Sequence, residues 1–155
     1  MADKTAGIKI ISDNRQARYL YEILDTYEAG IELVGTEVKS IRAGKVNLRD
    51  GYAFIKNREA WLSNVHISPY KAGGTHFNHE PLRIRKLLLH RQEINKLIGQ
   101  TEQKGLTLVP LKMYFKGGRV KVAIGLGKGK KLHDKRETSR KRDDQRAMAR
   151  AMKRD

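Results

Sequence analysis

The stretch Gly125-Leu126-Gly127-Lys128-Gly129-Lys130-Lys131 sets glycines beside lysines, the composition of a loop that cradles phosphates. The phosphate-loop pattern is Gly-x-x-x-x-Gly-Lys followed by Ser or Thr. Here three residues separate Gly125 from Gly129, and Lys131 stands where the hydroxyl belongs. That spacing excludes a nucleotide loop and leaves a mobile hinge whose lysines meet phosphates, because small residues let a backbone come close. His76 and His79, followed by Glu80, suggest a metal, but two imidazoles and one carboxylate on a loop are too few, and the chain has no Cys to complete a set. A metal-assisted nuclease needs clustered carboxylates; Asp13, Asp25, Glu37, Asp50 and Glu59 are scattered along the chain. No Ser-His-Asp set announces itself. The expectation is recognition without chemistry: no enzyme, no metal, no cofactor.

Recognition has better candidates. His90 precedes Arg91, and His133 lies among Lys131 and Lys135. A planar imidazole flanked by cations can stack on an exposed base, as in RNA recognition. The whole chain supports a polyanionic partner. Its 155 residues carry 33 Lys and Arg against 17 Asp and Glu, a formal net charge of +16, with a sequence pI near 10.2. Nucleic acid ranks ahead of a membrane surface for such a balance. Apolar residues make up 39% of the chain, enough for a core, which excludes wholesale disorder. No apolar run approaches a membrane span, and MADKTAGIKIISDN has no apolar signal region, so a cytoplasmic protein is expected.

The elements that must position these residues divide into a body, 1–127, and a tail, 128–155. The tail holds 12 basic and 5 acidic side chains in 28 positions, about three times the net charge density of the body. From Asp134 to Arg146 it has no apolar residue, so the reading is a segment disordered when free and helical on a surface that supplies contacts. A merely solubilising tail stays open.

In the body, Ile8–Ile11 reads as a short strand, Arg15–Arg18 as a helical turn, and the residues after Tyr19 as a long strand with a bend or bulge at Gly30. Thr36 is the expected N-cap of a short helix through Arg42, stopped by Gly44. Gly51–Lys56 and Glu59–Val65 flank Asn57-Arg58 as a hairpin. Leu87, Leu88, Ile94, Leu97 and Ile98 predict a helix ended by Gly99 or Gly105. Gly117-Gly118 predicts a two-residue hairpin turn between Leu106–Phe115 and Val120–Leu126. Thr107, Val109, Leu111, Met113 and Phe115 would share the core face, leaving Lys112, Tyr114 and Lys116, and then Arg119 and Lys121, as a basic ribbon with a tyrosine in it. The expected fold is mainly β with a few helices, a small antiparallel closed barrel of the oligonucleotide-binding type plus a basic C-terminal tail.

Four segments in order, Ala29-Gly30-Ile31, Gly35–Gly44 (GTEVKSIRAG), Arg85–His90 (RKLLLH) and Gly127–Arg136 (GKGKKLHDKR), resemble the bacterial SsrA-RNA-binding protein, or small protein B, family. The resemblance runs from about Ile8 to Arg136. It implies binding of the tRNA-like part of transfer-messenger RNA (tmRNA) and its delivery to stalled ribosomes in trans-translation. It implies that one body surface, with Glu28, Lys39, Arg42, Leu88 and His90, meets the RNA elbow. It further implies that the tail enters the decoding centre and the empty message channel, with Lys128, Lys130, Lys131, His133, Asp134, Lys135 and Arg136 at its base and His133 stacking on small-subunit ribosomal RNA. Beyond Arg136 the order of residues is generic, and no single contact is assigned there.

Overall fold

The computed structural model describes residues 7–71, 78–103, 105–130 and Arg146. In chain order these form β1 (Ile8–Asp13), α1 (Arg15–Leu20), β2 (Tyr21–Ile31), α2 (Gly35–Arg42), β3 (Val46–Asn47), β4 (Tyr52–Lys56), β5 (Glu59–Ser63), β6 (His66–Ile67), β7 (Arg85–Leu88), α3 (Arg91–Thr101), β8 (Leu106–Lys116) and β9 (Arg119–Gly129). The fold is mainly antiparallel β with three helices among the described residues, as the strand and turn spacing predicts.

Local turn chemistry builds the hairpins. Gly117 and Gly118 have φ of 57° and 76°, and Asn57 and Arg58 have 54° and 58°. Two successive left-handed residues match the right-handed twist of the strands they join. The long strand β8 then organises the sheet. One edge pairs with β9 from Leu106 to Lys116; the other is shared between β4, opposite Leu108, and β1, opposite residues 112–116. The order β8-β4-β5-β7-β2-β9 therefore returns to β8, closing a ring of strands with β1 attached outside it. Closure removes the unpaired edges that an open sheet would present.

Inside the ring lie Tyr27, Ala29, Leu62, Leu87, Leu108, Met113, Val122, Ile124 and Leu126, with Leu97 of α3 and Ile41 of α2 joining them. A second cluster, Ala17, Val109, Leu111, Tyr114 and Ala123, forms where α1 covers the outer face of β8 and β9. The pairing of β8 slips between Pro110 and Lys112. The extra residue reverses the alternation, so Leu108 and Met113 point inward while Val109, Leu111 and Tyr114 point outward. Pro110, with no N–H to give a ladder, sits at this irregularity. The expectation that Val109, Leu111 and Met113 share one face, and that Tyr114 is an exposed ribbon residue, is thereby corrected.

Other differences have equally local causes. Leu87 and Leu88 belong to β7, not to a helix, because Arg85 and Leu87 are buried while Leu88 is exposed, a period of two. An inward arginine and an outward leucine hide that period in the sequence. The helix begins at Arg91, contains Gly99 and runs to Thr101, whose hydroxyl donates to the Leu97 carbonyl at 2.7 Å. The slip in β2 falls between Ile23 and Asp25 rather than at Gly30. Val34, not Thr36, caps α2: its N–H donates to the Glu37 carboxylate at 2.9 Å, and the Thr36 hydroxyl is paired with Nδ1 of His79 at 2.9 Å. His79, one of the two suggested ligands, also uses Nε2, against the Ile67 carbonyl at 2.9 Å.

The glycines from 125 to 129 are not a hinge. They lie in β9, with Gly125, Gly127 and Gly129 opposite Thr26, Ile23 and Tyr21. A Cβ on Gly125 would stand 2.9 Å from Leu111 Cδ1, and one on Gly127 2.9 Å from Tyr21 Cβ. These glycines let the outer cluster pack flat on β9.

Candidate nucleic-acid interface

The antiparallel registers place one row of residues across four ring strands and onto β1. Leu88 on β7 is opposite Gly30 on β2, Gly30 opposite Lys121 on β9, Lys121 opposite Tyr114 on β8, and Tyr114 opposite Ile10. All point away from the ring interior. Leu88 is 49% and Ile10 57% exposed, unusual for large apolar side chains on a strand. Gly30 leaves a notch in the row: a Cβ there would lie 3.3 Å from Leu88 Cβ and 3.7 Å from Lys121 Nζ. The neighbouring row carries Glu28, Ala123, Lys112 and Asp13.

Glu28 is the chemical centre of this face. The Tyr114 hydroxyl donates to its Oε2 at 2.6 Å, and Lys116 Nζ donates to Oε1 and Oε2 at 3.2 and 3.3 Å. Lys112 Nζ lies 5.6 Å from the centre of the Tyr114 ring. The tyrosine hydrogen bond holds the Glu28 carboxyl below the usual carboxylate range; partial burial opposes this, and Lys116 and Lys121 add to it. Burial and the same carboxylate push the Tyr114 phenol far above its ordinary range. The pair is therefore ionised glutamate and neutral tyrosine at neutral pH. Such a carboxylate only accepts hydrogen bonds, and on a face with Lys112, Lys116, Arg119 and Lys121 it suits hydroxyl or amino donors rather than phosphates.

Of the residues expected at the RNA elbow, the structure brings Glu28 and Leu88 onto one outer surface across Gly30. His90 is exposed two residues beyond Leu88, where its N–H donates to the Glu93 carboxylate at 3.1 Å and starts α3. Lys39 and Arg42 are exposed on α2, which packs on β6 and not on this sheet face. Lys39 Nζ instead sits 5.3 Å from the Tyr70 ring centre, and the Tyr70 backbone is clamped by the Asn78 amide at 2.9 and 2.8 Å. Lys128 is exposed near the end of β9, and the Lys130 N–H donates to the Leu20 carbonyl at 3.0 Å, so the strand continues into the segment read as tail. Lys131, His133, Asp134, Lys135 and Arg136 lie outside the described residues. Sequence reasoning placed Lys121 on the basic ribbon but missed the partnership of Tyr114 with Glu28. The tyrosine among lysines was a visible signal; its partner 86 positions away was not.

Among the described residues no three His, Asp or Glu side chains converge as a metal site, and no helix is long and apolar enough to cross a membrane.

A closed antiparallel ring with a basic outer face, exposed apolar residues and a fixed carboxylate defines a protein that reads folded nucleic acid by its surface. The SmpB protein family model matches residues 11–154. The SsrA-binding protein of Nostoc punctiforme is 74% identical over 99% of both chains, and that of Synechocystis sp. is 73% identical over 99% of this chain and all of the relative. A solved chain described as "tmRNA-SmpB: a journey to the center of the bacterial ribosome" is 51% identical, with a TM-score of 0.68 over 87% of this chain and 96% of that one. The chain belongs to the SmpB family.

Proposed function

We propose that this protein is a non-enzymatic adaptor in the cytoplasm that binds the tRNA-like part of tmRNA and brings it to stalled ribosomes. The observation that carries the reading is the Glu28–Tyr114–Lys116 cluster on a basic sheet face, in a chain matched end to end by SsrA-binding proteins. Lysines on that face supply phosphate contacts, which give most of the affinity; Glu28, Leu88 and His90 set the register. Lys39 and Arg42 on α2 extend the basic surface. The segment 128–155 acts on the ribosome: Lys128, Lys130, Lys131, Lys135 and Arg136 meet phosphates around the decoding centre, Asp134 lies among them, and the ring of His133 stacks on a base.

Two measurements test this division of labour. A chain ending at Leu132 retains the β9 contacts of Lys130; it is expected to fold, to keep most of its affinity for the tRNA-like RNA, and to fail in peptidyl transfer to charged tmRNA on stalled ribosomes. His133→Ala is expected to show a partial form of the same defect. Loss of RNA binding on truncation refutes the division, and intact peptidyl transfer reduces the tail to a solubilising end. An RNA pull-down dominated by ribosomal RNA, with no enrichment of tmRNA, refutes the adaptor role itself.

A further inference from the structure

The partnership of Tyr114 with Glu28 has a role of its own. Tyr114 is only 4% exposed, so its ring offers no open face on which a base could stack. It lies in the outer cluster with Ala17, Val109, Leu111 and Ala123. Ala123 on β9 stands opposite Glu28, between β2 and β8, and its small side chain lets the phenol reach across β9 to the carboxylate. Lys112 lies near the ring, while Lys116 bridges both carboxylate oxygens. Tyr114 from its packed cluster and Lys116 from the end of β8 thus converge on one carboxylate.

We propose that Tyr114 is a positioning residue for RNA recognition: its buried hydroxyl fixes the Glu28 carboxylate on the outer face, where it accepts hydrogen bonds from ribose hydroxyls or base amino groups of the bound RNA. This rests on Glu28 being an RNA contact. An exposed glutamate faced by Lys116 and Lys121 would otherwise turn onto whichever ammonium is nearest and lose its acceptor geometry. Held by a neutral hydroxyl anchored in a packed cluster, it keeps its place when the lysines move to phosphates. A hydrogen bond to a charged group that must be re-formed on binding corresponds to an effect of about tenfold in affinity.

The test is a double-variant cycle on the full chain with Glu28→Gln, Tyr114→Phe and the pair. Affinity is measured for the tRNA-like part of SsrA RNA and for an unrelated hairpin of equal length. Tyr114→Phe keeps the ring in its cluster and is expected to leave the melting temperature close to that of the parent. It should weaken binding to the tRNA-like RNA by about tenfold, leave the unrelated hairpin nearly unchanged, and add almost nothing in the Glu28→Gln background. In the free protein, NMR titration of the Glu28 carboxyl should move upward in Tyr114→Phe, whatever the stability of the variant, because the largest cause of its lowered value is gone. Glu28 charge is faced by Tyr114 and Lys116 from β8 and by Lys121 from β9, so Lys116→Met should move the titration less. Parent-like binding by Tyr114→Phe while Glu28→Gln loses affinity overturns the positioning role and spares the Glu28 reading. Additive losses also overturn it. Parent-like binding by Glu28→Gln overturns the reading of Glu28 and the proposal with it.

Discussion

Glu37→Ala should cost this protein more stability than any surface change, and the reason lies in three groups that converge on one carboxylate. Glu37 and Arg85 are both 0% exposed. Arg85 Nε donates to Glu37 Oε2, Arg83 Nη2 donates to Oε1 at 2.6 Å, and the Val34 N–H donates to Oε1 at 2.9 Å. The rest of the Arg85 guanidinium is spent on the Val65 carbonyl at 2.9 Å and the Pro81 carbonyl at 3.1 Å, which ties the residues before and after β6 to β7 and, through Glu37, to α2. Removing the carboxylate leaves a buried guanidinium without its counter-charge and frees the α2 cap. Breaking such a pair costs about 3–5 kcal/mol, with the cap contributing within that range. Urea unfolding at pH 7 should show this loss. The pH dependence has a defined sign. Burial alone would raise the Glu37 carboxyl, but the hydrogen bonds from Arg83, Val34 and Arg85 outweigh it and hold it below its usual value. A lowered carboxylate stabilises the fold above the unfolded-state value and loses that contribution as pH falls through the folded one. The gap between parent and Glu37→Ala should therefore persist from pH 7 to about 5 and shrink only below the ordinary carboxylate range near 4.3. A gap under about 1 kcal/mol at pH 7, the worth of an exposed pair, refutes the reasoning, as does a gap that vanishes by pH 6.

Binding to the isolated tRNA-like RNA should weaken with salt: if about five phosphates are neutralised, the log–log slope is roughly −3.5 to −4.5, and a slope near zero in a filter-binding series refutes an electrostatic face. Gly125→Ala and Gly127→Ala should each lower the unfolding free energy by about 1–3 kcal/mol through overpacking, because the added Cβ meets Leu111 and Tyr21 at 2.9 Å. Gly129→Ala, with nothing within 4 Å, should be silent in the same melt. Equal effects at all three positions would restore the reading of these glycines as a hinge.

The sequence by itself determined the features that depend on neighbours in the chain. Asn57-Arg58 and Gly117-Gly118 are hairpin turns because turn conformation is set by two residues. The charge balance and the absence of Cys are properties of composition, and they directed the reading to a nucleic-acid partner and away from thiolate chemistry. The segments Ala29–Ile31, Gly35–Gly44, Arg85–His90 and Gly127–Arg136 together were enough to indicate the family. Tertiary structure alone decided the rest. That Tyr114 shares the outer face with Val109 and Leu111 depends on a slip after Pro110 in the pairing with β9. Arg85 reads as a surface cation until Glu37, 48 positions earlier, is placed against it inside the fold. Glu28 and Tyr114 become one site only when β9 is laid between their strands. Local propensity acts over a turn or two, whereas burial of a charge or a phenol is stable only if a distant partner satisfies it, and the closing of the ring supplies those partners.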